Sequence, residues 1–193
     1  MHDTGYIQEA DDNLGTGAKY TLIHVERSII FTQDYYADEK YFHDDLACFS
    51  DILLCTGLNL DIKKITFSSA NIEIVAKILG TADLLGQIAD RFYLEKLISL
   101  FHEFEEGKVS GFESELDLLR KTINFYNFAR ERFENGLGNV NRYMVNHFRD
   151  RWNIEKNIYD EAIEKNINYL KYILKSNFKS LHDCLRRNTV TTQ

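Results

Sequence analysis

An all-α protein, a bundle of about seven helices, is what this sequence predicts, and three observations carry the expectation. Proline is absent from all 193 residues, so no residue lacks the backbone donor that a helix interior needs. Apolar residues recur at three- and four-residue spacing through most of the chain, which sets them on one face of a 3.6-residue helix. Loose alternation of the strand kind is confined to Leu58–Phe67, and no hairpin turn accompanies it.

Taken in order, residues 1–17 mix glycine with small polar residues and read as a short turn followed by a loop. Leu22, Ile23, Ile29, Ile30 and Phe31 predict a helix from Tyr20 to about Tyr36. Asp38 is the expected N-cap of the next, whose buried stripe is Phe42, Leu46, Phe49, Ile52, Leu53 and Leu54 and whose stop is Gly57. Leu58 to Phe67 reads as a connection with anchoring side chains. Ser68 or Ser69 then caps a helical pattern that runs through Ile72, Ile78, Leu84, Ile88 and Leu100 to Gly107. Leu116, Leu119, Ile123, Tyr126 and Phe133 predict a helix ending near Gly136-Leu137-Gly138. Val140 to Arg151 forms another, with Tyr143, Met144, His147 and Phe148 on one side. Asn153 is the expected cap of a last long helix carrying Ile158, Ile163, Ile167, Leu170 and Ile173, and the chain after Leu185 reads as a frayed tail.

Composition removes several classes of function. A hydrophobic content of 44%, with 13% aromatic residues, excludes a disordered chain. No apolar run approaches the roughly 20 residues needed to cross a bilayer, and the start of the chain carries no export signal, so a cytoplasmic location is expected. Cys48, Cys55 and Cys184 are odd in number and lack zinc-type spacing, which points to reduced core thiols rather than disulfides or a structural zinc. A net charge of −7 with no basic stripe argues against an extended nucleic acid as partner; Arg186-Arg187 is the one small basic patch.

The stretch that invites chemistry is Ile78 to Leu97. Asp83, Gln87 and Asp90 fall at i, i+4 and i+7, so one helix would present two acids and an amide on a face flanked by Leu84, Leu85, Ile88 and Ala89. Carboxylates placed there need a cation, an arginine or backbone donors. Two accounts fit: helix-to-helix hydrogen bonds with an Asp–Arg pair through Arg91, or Asp83 as a metal ligand.

His2-Asp3-Thr4-Gly5-Tyr6, His24 within Ile23-His24-Val25-Glu26, and Thr81-Ala82-Asp83 together resemble the HD superfamily of metal-dependent phosphohydrolases, an all-α family. The first segment is similar to its His-Asp doublet and Gly-aromatic turn, His24 to the extra histidine of some subfamilies, and Asp83 to the last acidic ligand. Arg91–Leu97, Leu118–Thr122 and His147–Trp152 resemble a bacterial branch of HD-domain proteins. In that family a first histidine precedes the doublet on its own helix, so the resemblance implies a site short of one ligand here. His43-Asp44 is a second doublet, ranked below the first because it sits early in a helix among acids and lacks the Gly-Tyr turn. The resemblance implies one HD-like domain over residues 1–193, with 1–107 as the metal-site half, 108–185 as a C-terminal helical extension and 186–193 as a tail.

It also implies chemistry. His2, Asp3, His24 and Asp83 would be the metal ligands, with Asp3 in the catalytic role. Gln87, Asp90 and Arg91 would orient ligands or touch substrate, Arg91 being the natural partner of a phosphate. Mixed imidazole and carboxylate donors suit one or two divalent ions of iron, manganese, zinc or nickel, or magnesium. The partner would be a phosphate-containing small molecule, a mono- or diester with nucleotides among the candidates. The alternative is an HD-fold module that lost catalysis and senses a ligand or binds a protein. Tyr35, Tyr36, Phe125, Tyr126, Phe128, Tyr169 and Tyr172 would serve either a homodimer face or the core.

Overall fold

The computed structural model of the protein describes residues 1–40, 45–176 and 184–185. Among these residues there are seven α-helices and no strand. They are α1 (His24–Tyr35), α2 (Leu46–Leu54), α3 (Ala70–Ile88), α4 (Tyr93–Glu106), α5 (Glu115–Glu131), α6 (Met144–Trp152) and α7 (Ile158–Lys175). Short 3-10 turns at Thr4–Tyr6, Gly17–Tyr20, Ile62–Lys64 and Val140–Tyr143, and a π turn at Arg132–Gly136, lie in the connections.

The core forms where the apolar stripes of the long helices meet. Leu84, Leu85 and Ile88 of α3 pack with Leu94, Leu97 and Phe101 of α4, Leu118, Leu119 and Tyr126 of α5, and Leu170 and Ile173 of α7. Each such leucine or isoleucine contributes about 1.5–3 kcal/mol through burial. One cluster of buried side chains therefore crosses the 107/108 boundary. Helix α2 lies against both α1 and α3, attaching the N-terminal helix to the core. Gly80 permits the α2–α3 contact, because a Cβ there would stand 2.5 Å from the Cys55 carbonyl oxygen.

Three helix starts follow from side-chain caps. The Ser69 hydroxyl accepts from the Ile72 amide at 3.2 Å, Ser114 from Asp117 at 3.2 Å, and Asn157 from Tyr159 at 3.2 Å, each worth about 1 kcal/mol. Asn157, not Asn153, is thus the cap of the last helix; Asn153, at φ 54°, ends α6 in the left-handed conformation. Helix α1 begins at His24 rather than Tyr20, because Thr16 caps a separate 3-10 turn by accepting the Ala18 amide. Asp38 does not cap α2, which begins at Leu46, after Asp45.

The expected helix from Ser69 to Gly107 is two helices, and the break comes at Asp90 rather than Gly80. The Asp90 carboxylate accepts the Phe92 amide at 2.9 Å and pairs with Lys96. From α7, the Asn166 amide donates to the carbonyls of Ile88 at 3.0 Å and Asp90 at 2.9 Å. Those carbonyls have left the α3 ladder, and Asn166 donates to both, while the Asp90 carbonyl also accepts the Tyr93 amide at 3.0 Å.

Phe42, His43-Asp44, Arg186-Arg187 and the 186–193 tail lie outside the described residues. The named aromatics divide: Tyr126 is buried, and Phe125 and Tyr169 pack on the core, while Tyr35, Phe128 and Tyr172 are exposed. Cys55 and Cys184 are buried and Cys48 is half-buried, and none of the three is in a disulfide among the described residues. Among the described residues no helix is long and apolar enough to cross a membrane.

Candidate functional site

The N-terminal turn is held on α1 by a short chain of hydrogen bonds. The Ser28 hydroxyl, fully buried, accepts the Gly5 amide at 2.8 Å and donates to the His2 carbonyl at 2.6 Å. Arg27 donates to the carbonyls of Gly5 and Ile7, both at 2.8 Å, while its guanidinium stacks on Tyr20. Glycine is required at position 5 because a Cβ would meet the His24 carbonyl oxygen at 1.9 Å. The next residue, Tyr6, stacks its ring on that of His24 with centroids 4.5 Å apart. This packing fixes where His2 and Asp3 stand relative to α1.

They stand beside Asp83. His2 Nε2 is 3.1 Å from an Asp3 carboxylate oxygen and 3.4 Å from one of Asp83, so a single imidazole serves two acids. Gln87, one turn along α3, donates to Asp83 at 3.0 Å. Burial pushes the Asp83 carboxyl above the usual range, against the opposing pull of His2 and the Gln87 bond; the Asp3 charge adds to the rise and His24 opposes it. The neighbouring imidazoles and amide thus offset part of the cost of placing this acid in a half-buried position. His24 Nδ1 lies 2.7 Å from the Thr21 carbonyl, to which it must donate, leaving Nε2 as the nitrogen with a free lone pair.

Four of the residues singled out in the sequence therefore gather with Gln87: His2, Asp3 and Asp83 in contact, and His24 close enough to act on the Asp83 charge. Asp90 and Arg91 do not join them. The helix ends at Ile88, so the i+7 position no longer shares the face of Asp83, and Asp90 instead holds the α3–α4 corner. Arg91 stacks on Phe92 and lines a separate surface hollow with Glu95, Lys165 and Tyr169, rather than the cleft beside Asp83. As the side chains stand, no three His, Cys, Asp or Glu residues among the described residues are arranged as a ligand sphere.

Next to the group opens a cleft of about 1170 Å³. Asp3, Tyr6, His24, Asp83 and Gln87 contribute to its wall, and so do Tyr93, Leu97, Leu100 and Phe104 of α4 and Leu118 and Phe125 of α5. Glu103, also on the wall, is raised above the usual carboxyl range by burial and by Glu106. The sequence reading did not find this wall, because its members come from stripes that serve the core equally well. Nor did it single out Ser28 and Arg27, whose roles depend on the turn that folds back onto them.

A family described as Npun_R2479-like matches residues 9–135, and the chain belongs to it. The match takes in His24, Asp83 and Gln87 and leaves His2-Asp3 outside. No curated protein and no solved structure matches the chain.

Proposed function

We propose that this member of the Npun_R2479-like family is a metal-dependent phosphohydrolase that cleaves a phosphate mono- or diester at His2, Asp3, His24 and Asp83. One observation carries the reading: the His2 imidazole lies 3.1 Å from Asp3 and 3.4 Å from Asp83, and both of these acids, from the N-terminal turn and from mid-α3, line a cleft. The resemblance of these residues to the HD ligand pattern supports it. The donors fit a divalent ion in kind, since one imidazole nitrogen and two carboxylates suit iron, manganese, zinc, nickel or magnesium. Such an ion, one or a pair, supplies a water of lowered pKa and offsets charge on the phosphate oxygens.

The chain's own residues do the rest. Asp3, the more exposed acid, receives the proton of the attacking water. Gln87 keeps the Asp83 carboxylate turned towards the group. His24, with Nδ1 fixed on the Thr21 carbonyl and its ring against Tyr6, would present the Nε2 lone pair to the ion. The water oxygen bonds to phosphorus, the ester P–O bond breaks, and the departing alkoxide takes a proton from solvent while Asp3 returns the one it received.

Metal content and phosphate release from an aryl phosphate test this in the parent protein and in Asp83→Asn. The expected result is stoichiometric divalent metal and metal-dependent turnover in the parent, with both lost, turnover by about a hundredfold or more, in the variant. The ion-free variant is expected to be at least as stable as the parent at neutral pH. Since burial raises the Asp83 carboxyl, stability in the ion-free parent falls as pH rises through that group's titration, and asparagine removes the loss. Purified parent protein with neither metal nor turnover would leave the sensing or interaction module in its place.

A further inference from the structure

We infer that the cleft takes the phosphate ester of an apolar alcohol, with a long alkyl or aryl body, in preference to a nucleotide or sugar phosphate. The placement of the phosphate head at Asp83 and His24 rests on the hydrolase reading; the nature of the body rests on the wall. At about 1170 Å³ the cleft exceeds the usual 300–1,000 Å³ of small-ligand sites, so it holds far more than a phosphate.

The wall decides what that extra volume accepts. Leu97 and Leu118 are buried there, Leu100 and Phe125 are half-buried, and Phe104 stacks on Phe112 with centroids 5.1 Å apart. Several of the polar groups on the wall already spend their donors on the protein, and Asn59, Glu103 and Asn124 also line it. The Thr21 hydroxyl donates to the Ala18 carbonyl at 2.6 Å, Thr56 to Leu53 at 2.8 Å and Thr122 to Leu118 at 2.8 Å. Lys121 is tied to the Gly111 carbonyl and to Asp117, each at 2.6 Å. A sugar hydroxyl or a base edge packed against these leucines and phenylalanines gives up water without gaining a partner from them, and each stranded group weakens binding roughly tenfold. A hydrocarbon loses nothing polar on entry.

The test is calorimetric titration of the full chain with butyl-, hexyl-, octyl- and decylphosphonate, kept below micelle formation, and with adenosine monophosphate. Phosphonates are not hydrolysed, so binding is read apart from turnover. One-to-one affinity is expected to tighten about two- to fourfold per methylene, about sixtyfold or more from butyl to decyl, with adenosine monophosphate weaker than decylphosphonate. Leu100→Gln and Val109→Gln, two independent half-buried wall positions, are each expected to weaken decyl- but not butylphosphonate. A flat chain-length series, or adenosine monophosphate binding as tightly as decylphosphonate, overturns the inference. Chain-length-dependent binding without phosphate release from decyl phosphate removes the hydrolase reading and leaves this one standing; release that ignores chain length does the opposite.

Discussion

Gly5 shows how one missing methyl group sets a site. Its amide and carbonyl are both held by α1, through Ser28 and Arg27, and its Cα approaches the His24 backbone so closely that any side chain collides with it. Gly5→Ala is expected to lift the turn off α1, separating His2 and Asp3 from Asp83. The measurable outcome is loss of metal binding and turnover with helix content unchanged by circular dichroism. Gly86→Ala is the control: nothing lies within 4 Å of a Cβ at that helical position, so stability should rise by about 0.5–1 kcal/mol and activity should hold. At this scale the sequence was partly legible. His2, Asp3, His24 and Asp83 stood out by residue type and by resemblance, and Gly5-Tyr6 stood out with them. What was hidden is why Gly5 is needed, since the colliding carbonyl belongs to a helix nineteen positions away only in the folded chain. Asp90 misled for a related reason: helical spacing assigned it to the Asp83 face, but its partners Phe92, Lys96 and the bridging Asn166 end the helix before that spacing applies.

The helices themselves were readable wherever an apolar stripe lies next to a capping side chain. Ser69 and the stripe from Ile72 to Ile88 mark α3, while α5 was read from its apolar stripe without its Ser114 cap. Boundaries set by tertiary contacts were not. The separation of α3 from α4 depends on a donor that arrives from α7, and no local pattern announces it. Asn166→Ala is expected to strand the Ile88 carbonyl and leave the Asp90 carbonyl with the Tyr93 amide alone, costing about 1–3 kcal/mol, read as a lowered midpoint in urea unfolding. Because α4 supplies Tyr93, Leu97 and Leu100 to the cleft, the same variant should also weaken decylphosphonate binding without touching any residue that lines it.

For the molecule as a whole, composition and periodicity were enough to specify an all-helical protein, while the cleft was out of reach because core and cleft draw on the same apolar residues. The thiols give a whole-molecule check on the packing. Cys55 is almost fully buried, its thiol is pushed up to about 11 by burial, and Cys184 is buried as well, whereas Cys48 retains some exposure. Iodoacetamide at pH 8 should therefore modify Cys48 first in native protein and reach the other two only on unfolding, a sequence that peptide mass mapping resolves. The Asn166 contact also has a consequence for biogenesis. The two carbonyls it holds precede it by 78 and 76 positions, so at roughly 5–20 residues per second a ribosome needs several seconds to deliver it after the corner emerges. Until then one flank of the binding chamber lacks its latch, and a nascent chain halted before α7 should be open to proteases at residues 89–92.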